Sequence, residues 1–431
     1  MTEQAPVVFL SKRQIGAVVA GNALEFYDFL IFSFFAVPIG KAFFPSNHPE
    51  TSLLAALATF GAGFLTRPLG GIVIGLFANR AGRKPAMLLS FSLMGLSMLG
   101  LACTPGFTVI GVWAPILAIV WRLVQGFALG GEVGPTTTLL IEGAPVGRRG
   151  LYGSLQIVTQ QVAIAVVGVV GFGLAGPVGA AGMAAWGWRI ALLAGVAVVP
   201  IGLAIRRALP ETLHTASSVA APAVPTGTLR LVALTFVILA SSTVGVYVLN
   251  TLTTYAISTL KMDPGIAFAA TLVRGSVGAA CALLGGALSD RIGRRGPMIV
   301  TTLLAGVLAV PLLMLVVATR SPAALLVTAA ILGAVVAIGG TPALTVAIEA
   351  LPARLRAGTA GATYAFAISV FGGSTPFIVT WLTQTTHNPL TPAWYLTGAA
   401  AIGLIALVFL PETAPGRQGV QAPLAPETRR G

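Results

Sequence analysis

Twelve apolar runs, each close to the length of about 20 residues that a helix needs to cross a bilayer, constrain this chain more than any other feature. They lie near 15–40, 53–77, 86–104, 112–140, 152–175, 188–205, 231–260, 265–288, 297–318, 324–348, 357–383 and 394–411. Of 431 residues, 56% are hydrophobic and 9% charged, too little charge to cover a water-soluble surface. The apolar surface therefore faces lipid. The 52 glycines and 28 prolines suit close-packed, kinked membrane helices. Cys103 and Cys281 fall inside apolar runs, so neither a disulfide framework nor a metal site is expected.

The net charge of +13 would suit a nucleic-acid binder, but its placement argues otherwise. With the N-terminus inside, 18 of the 25 Lys and Arg fall in cytoplasmic segments, four (Lys41, Arg189, Lys261, Arg320) in outer loops and three within spans. That bias orients the chain by the positive-inside rule, with both termini cytoplasmic. The first span follows a short polar start without a small-residue cleavage site, so no signal peptide is read. In a bacterium the expected location is the inner (cytoplasmic) membrane, crossed many times.

Three landmarks recur in order along the chain. Gly75-Leu-Phe-Ala-Asn79-Arg80-Ala-Gly82-Arg83-Lys84 returns as Gly286-Ala-Leu-Ser-Asp290-Arg291-Ile-Gly293-Arg294-Arg295. Glu142, Pro145 and Arg149 return in spacing as Glu349, Pro352 and Arg356, and Leu209-Pro-Glu-Thr212 as Leu410-Pro-Glu-Thr413. The offsets are 211, 207 and 201 residues, which divides the chain into two similar halves. Residues 1–205 form an N-terminal six-helix bundle and 231–411 a C-terminal one. Between them 206–230 reads as a polar cytoplasmic linker, and 412–431 as a cytoplasmic tail. Parallel repeats with a site at their interface are a transporter pattern.

The two Gly-x-x-x-Asp/Asn-Arg-x-Gly-Arg-Arg/Lys loops resemble the signature of the major facilitator superfamily, over essentially the whole chain. Gly21-Asn-Ala-Leu-Glu25-Phe-Tyr-Asp28-Phe, Arg67-Pro-Leu-Gly70 and Arg122-Leu-Val-Gln125-Gly-Phe-Ala-Leu-Gly-Gly-Glu132 resemble its metabolite–proton symporters. Gln160-Gln-Val-Ala-Ile164, Trp186-Gly-Trp-Arg-Ile190 and Phe371-Gly-Gly-Ser-Thr-Pro376 look like the citrate and tricarballylate branch. The resemblance implies an all-α integral membrane protein, with twelve transmembrane helices in two pseudo-symmetric six-helix bundles. It further implies a proton-coupled symporter importing a small organic anion, a di- or tricarboxylate such as citrate, by alternating access. Uptake of a zwitterionic osmolyte such as betaine or proline, and drug/proton antiport, stay open as alternatives. The exporter signature of helix five is only partly matched, by Gly171-Phe-Gly-Leu-Ala-Gly-Pro177. No acid/base pair, metal cluster or nucleotide loop suggests an enzyme.

By these spans Glu25, Asp28, Arg67, Arg122, Glu132 and Arg274 are the ionisable groups inside the bilayer. Each costs roughly 2.5–3.5 kcal/mol at a helix centre on insertion scales, so they are expected to line the interior and pair. His48, His214 and His387 fall in loops, which leaves a carboxylate as the proton carrier. Asp28 lies about 15 residues, roughly 22 Å, past the basic start of helix one, and Arg122 about ten residues into the antiparallel helix four, so their depths match. The resemblance points to the same pair, since related proton-coupled porters place a first-helix Asp near a fourth-helix Arg. Held by Arg122, Asp28 stays ionised; when substrate recruits the arginine, the desolvated carboxylate takes a proton. The alternative is a static buried ion pair joining the two helices. Glu25, three residues earlier on the same face, is a second protonation site or a structural partner, for instance of Asn22.

Helix four carries Arg122, Gln125, Leu129, Glu132 and Thr136 in steps of three and four, which keep one face. Arg122 and Gln125 are expected to face the cavity, with Glu132 in a packing and charge network. Gln156 and Gln160 on helix five, and Tyr247, Asn250, Thr251 and Thr254 on helix seven, share faces suited either to ligand contact or to interhelical hydrogen bonds. Arg67 reads as structural, packing above the loop motif. Arg274 stands in a half whose membrane part has no carboxylate. It is an anion ligand, or it snorkels, or it pairs across the halves with Asp28 or Glu25. The three arginines balance Glu25, Asp28 and Glu132, so protonating Asp28 leaves one positive charge for a carboxylate to neutralise.

The loop motifs read as gates: Gly75, Asn79, Arg80, Gly82 and Arg83 in the first copy, and Asp290, Arg291, Gly293 and Arg294 in the second. Glu142 and Arg149 belong with them, as do Glu349 and Arg356. By the resemblance, the first-copy Asp caps a neighbouring helix and pairs with basic residues to hold the outward-open state. This chain has Asn79 there. Asn caps a helix but brings no charge to the dipole or the arginines. The inner gate is expected to be weaker than in relatives with Asp, and Asn79→Asp should change labelling of cysteine probes in the inner cavity; unchanged labelling would count against it. The expected partners are a small organic acid, protons and the bilayer, with no nucleic acid, no cofactor, no metal and a monomeric state.

Overall fold

A computed structural model describes residues 12–130, 144–145, 147–207, 228–349 and 361–414. Glu132, Glu142, Arg356, residues 208–227 of the linker and 415–431 of the tail lie outside the described residues, as do the side chains of Asn79 and Arg83. Every regular element among the described residues is helical.

The first half opens with α1 (Lys12–Phe34) and α2 (Ala36–Phe43), which meet at a bend of 64°. Pro38 has no N–H for the carbonyl four residues back, so the helix is loosened there. α3 (Pro49–Leu65) and α4 (Arg67–Ala81) make one apolar span broken at Thr66. Pro68 again removes a helical donor, and Thr66 Oγ1 donates to the Leu123 carbonyl of a facing helix at 2.7 Å. Then come α5 (Arg83–Cys103), the short α6 (Phe107–Ile110), α7 (Trp113–Leu129), α8 (Arg149–Gly182) and α9 (Trp188–Arg207). The second half holds α10 (Thr228–Ser258), α11 (Pro264–Ile292), α12 (Arg295–Thr319), α13 (Pro322–Glu349), α14 (Gly361–Ala367), α15 (Gly373–Thr386) and α16 (Thr391–Phe409). π-helical turns lie at Met183–Gly187, before α9, and at Ile368–Gly372, between α14 and α15.

Among the described residues nine helices are long and apolar enough to cross a membrane, and ten when the bent pair α1–α2 counts as one. The described parts of the fourth and sixth expected spans include the apolar helices Trp113–Leu129 and Met183–Ala197. The surface order of a soluble protein is inverted: large apolar side chains lie outside, while polar side chains are buried beside an apolar core. Leu65, Ile72, Leu76, Val307 and Ile402 are exposed, while Asn22, Gln125, Gln156 and Asn250 are buried. That inversion is what a lipid solvent demands.

The halves meet along two seams. α8 lies against α11 nearly backbone to backbone: a Cβ added at Gly275 would sit 2.4 Å from the Ala165 nitrogen, and one at Gly168 2.4 Å from the Leu272 nitrogen. α3 meets α15 in the same way, where a Cβ at Gly61 would lie 2.7 Å from the Gly373 carbonyl oxygen. Small residues allow this approach, and close packing in turn drives association where lipid removes the hydrophobic advantage. A single buried cluster, mostly of the first half, takes in Tyr247 and Phe268 from the second.

Candidate functional site

Arg122 of α7 is wholly buried where α1, α3 and α7 converge. Its Nη1 donates to the Phe29 carbonyl at 3.4 Å and to Gln125 Oε1, and its Nη2 donates to the Phe60 carbonyl at 3.4 Å. The guanidinium carbon lies 4.6, 4.8 and 5.0 Å from the ring centres of Phe29, Phe32 and Phe60. Aromatic faces stabilise a cation through their quadrupoles, yet Arg122 Nε has no hydrogen-bond partner. Gln125 Nε2 donates to the Asp28 carbonyl at 3.0 Å, which ties α7 to α1.

The expected Asp28–Arg122 ion pair is not made. Residue counts along two antiparallel helices set depth but not direction around the axis, and Asp28 turns away, toward α9. A Cβ at Gly195 would lie 2.5 Å from Asp28 Oδ1 and 2.6 Å from Met98 Cε, so the glycine makes the room this carboxyl occupies. Asp28 Oδ1 is buried without a hydrogen-bond partner. Glu25, one turn earlier, is also buried. Asn22 turns to α8 rather than to Glu25 in its described hydrogen bonds. Its Nδ2 donates to Gln156 Oε1 at 3.1 Å and Thr159 Oγ1 at 2.5 Å, and Gln156 Nε2 donates back to Asn22 Oδ1 at 3.4 Å. Gln156 thus uses its amide to hold helices together, while Gln160, one turn on, lies beside Tyr364 of α14.

From the second half, Tyr247 packs its ring against Phe60 and Phe64, with centres 6.4 and 5.8 Å apart. Arg274 of α11 is buried rather than snorkelling. Its Nη1 donates to Asn250 Oδ1 at 2.5 Å and its Nη2 to the Val246 carbonyl at 3.3 Å, both on α10. Arg274 Nε and Asn250 Nδ2 have no hydrogen-bond partner. The Thr251 and Thr254 hydroxyls donate to the carbonyls of Val248 and Thr251, as helix-bound threonines do.

Arg67 packs at a place other than the one expected. Its guanidinium carbon lies 4.2 Å from the ring centres of both Phe29 and Phe64, so it enters the aromatic cluster around Arg122 instead of packing above the loop. Sequence periodicity misses this because Phe29 and Phe64 sit on different helices. The usable signal is an arginine in an apolar span with no carboxylate one turn away.

At one end of the molecule the second-copy loop forms a closed network. Asp290 at the end of α11 accepts from the Gly150 and Leu151 nitrogens, at 2.8 and 2.9 Å, capping the first turn of α8 across the halves. Arg294 is 2% exposed and binds Asp290 at 2.7 Å and Glu349 at 3.1 Å. Burial alone would lower the Arg294 pKa; the hydrogen bond and charge of Glu349, then those of Asp290, outweigh it and hold it above its ordinary value. Gly293 closes α11 with φ 99°, as Gly82 closes α4 with φ 107°, a conformation suited to glycine. Arg149 opens α8 beside the cap, whereas Arg80 and Arg291 are exposed and a Cβ at Gly75 would meet nothing within 4 Å.

The repeated Leu-Pro-Glu-Thr has a role here that its sequence did not disclose. Glu412 accepts from the backbone nitrogens of Arg294 and Arg295, at 2.9 and 3.2 Å, capping α12. Burial pushes the Glu412 pKa up, but backbone donors from Arg294, Ala414, Arg295 and Thr413 outweigh it and bring it below the usual carboxylate value. A lowered folded-state pKa means the cap's contribution is complete above the ordinary carboxylate range and is lost as pH falls through the lowered value. Thermal melts of wild type and Glu412→Gln should therefore differ at neutral pH and converge in acid; a constant gap would contradict this.

At the opposite end a cavity of about 450 Å³ opens between the halves, lined by Lys41, Glu50, Lys261, Gln384 and His387 among others. Among the described residues the halves are thus tied to each other at the Asp290 end and part around a cavity at the Lys41 end.

Comparison with known proteins agrees with this architecture. The sequence profile of the Major Facilitator Superfamily matches residues 18–376 and again 275–426. The citrate-proton symporter of Klebsiella pneumoniae is 34% identical over 417 residues, covering 92% of each chain. The alpha-ketoglutarate permease of Escherichia coli K12 is 34% identical over 94% of this chain and 96% of its own. The proline/betaine transporter of the same strain is 31% identical over 94% and 84%. The crystal structure of a D-xylose-proton symporter superposes with a TM-score of 0.74 at 19% identity, over 93% of this chain and 98% of that one, which supports the fold. This chain belongs to the Major Facilitator Superfamily.

Proposed function

We propose that this chain is a proton-coupled symporter that imports a small organic anion, a di- or tricarboxylate such as citrate, by alternating access. One observation carries the reading: Arg122 in one half and Arg274 in the other are buried, hydrogen-bonded to neutral oxygens, and left with an unused Nε. A buried cation without a counter-charge costs several kcal/mol, a cost removed when an anion completes it. The likeness to a citrate-proton symporter and an alpha-ketoglutarate permease supports a carboxylate. A betaine would need free aromatic faces for its ammonium group. Here Phe29, Phe60 and Phe64 already hold the protein's own guanidiniums.

Asp28 carries the proton in this reading. Its buried Oδ1 has no partner, and a proton neutralises the carboxyl, while Arg122, which Asp28 does not hold, stays available to the substrate. The bundles 1–205 and 231–411 rock about the two glycine seams. The positive-inside bias puts the Asp290 end in the cytoplasm, so the described state is closed inside, and substrate enters through the cavity beside Lys41 and Lys261. The solute crosses chemically unchanged.

The test is uptake of labelled citrate into proteoliposomes under an inward proton gradient. Accumulation competed by 2-oxoglutarate and not by betaine or proline is expected. A profile confined to betaine and proline would sink the anion reading.

A further inference from the structure

We propose that Arg67 is a second carboxylate ligand, acting beside Arg122 at the shared ring of Phe29, so that the site selects anions bearing at least two carboxylates. This rests on the organic-anion reading above and adds a residue and a selection rule to it.

Arg67 is 8% exposed, and its Nε and Nη2 have no hydrogen-bond partner. These two donors form one edge of the planar guanidinium, the edge that a carboxylate takes with two parallel hydrogen bonds. The stacked faces of Phe29 and Phe64, each 4.2 Å away, satisfy the charge in part but accept neither N–H. A purely structural arginine in an apolar interior would have its donors satisfied by carbonyls or a carboxylate. Arg67 instead keeps its donor edge unused.

Phe29 joins this group to Arg122, whose guanidinium carbon lies 4.6 Å from the same ring centre. Two like charges so placed repel in a medium of low dielectric. Neither guanidinium has a carboxylate partner among the described residues. One carboxylate answers one arginine; a ligand with two answers both and also removes the repulsion.

The position suits a ligand that must reach both sides of the membrane. Phe64 touches Tyr247 of the second half, and a Cβ at Gly372 would lie 2.9 Å from the Tyr247 ring and 3.2 Å from Phe64. Arg67 therefore lies beside the seam that alternating access must open.

The test is equilibrium binding of citrate, succinate and acetate to the purified full-length protein by calorimetry. Wild type, Arg67→Gln and Arg67→Lys are compared. In Arg67→Gln the affinities for citrate and succinate should fall roughly tenfold or more, while that for acetate changes about threefold or less. Arg67→Lys, which keeps the charge and loses the fork, should fall between. The citrate-to-acetate ratio is taken within one preparation, so the folded fraction cancels. An unchanged ratio in Arg67→Gln overturns the role of Arg67 and leaves the organic-anion reading standing. Should Arg67→Gln not fold, the Arg67→Lys ratio decides in the same way. Wild type binding none of the three anions overturns both.

Discussion

Replacing Arg122 with glutamine is expected to cut citrate uptake about 100-fold or more, the result of losing a buried charged contact of ~3 kcal/mol. The fold should tolerate the change. The hydrogen bonds from Arg122 to the Phe29 and Phe60 carbonyls are long, at 3.4 Å, and Gln125 still ties α7 to α1 through the Asp28 carbonyl. Arg122→Lys keeps the charge without the planar fork, so it should recover part of the activity. Uptake in proteoliposomes, with a thermal melt as control, checks both. Wild-type uptake by Arg122→Gln would remove this residue from the site.

The second large effect is expected at the Asp290 end. Arg294→Gln leaves Asp290 and Glu349, 9% and 4% exposed, as two buried carboxylates without their shared cation. Breaking a buried pair in this way costs about 3–5 kcal/mol. Here the loss falls on the state in which Asp290 caps α8, because that cap crosses between the halves. The population should shift toward the state open at that end, by about 100-fold or more if most of this energy is specific to the closed state. A single cysteine from Ser154→Cys, buried on α8 near the network, reports this in a background lacking Cys103 and Cys281. It should label at least severalfold faster in Arg294→Gln; equal rates would show that the network does not hold the gate.

The twelve-helix duplicated plan was legible because it rests on quantities a sequence carries directly: run length, charge placement and repeat spacing. The gate was half legible. The matched landmarks pointed to Asp290, Arg294 and Glu349, and in the structure Arg294 donates to both carboxylates. The purpose of Leu-Pro-Glu-Thr was not visible, since Glu412 caps α12 more than a hundred residues away in sequence. The central site was least legible. Helical spacing placed Asp28 and Arg122 at one depth, but which way each turns depends on neighbours: Gly195 leaves space for the carboxyl, and Phe29, Phe32 and Phe60 gather the guanidinium. The same limit hid the Asn22–Gln156 clamp and the entry of Arg67 into the aromatic cluster.

The division of labour between the halves is sharpened by these positions. Asp28, Glu25, Arg67 and Arg122 all belong to the first half, and Tyr247, Asn250 and Arg274 to the second. Only Tyr247 of the second group is in ring contact with the first. A substrate that binds between them would complete Arg122 in one half and Arg274 in the other, which couples its binding to closure of the seam.

Proton-driven citrate accumulation by proteoliposomes carrying wild type or Asp28→Asn tests the central claim most directly. With an inward proton gradient, wild type should concentrate citrate and acidify the lumen, whereas Asp28→Asn should exchange citrate for citrate but fail to concentrate it. Equal accumulation by both proteins, or wild-type uptake indifferent to the gradient, would contradict coupling through Asp28.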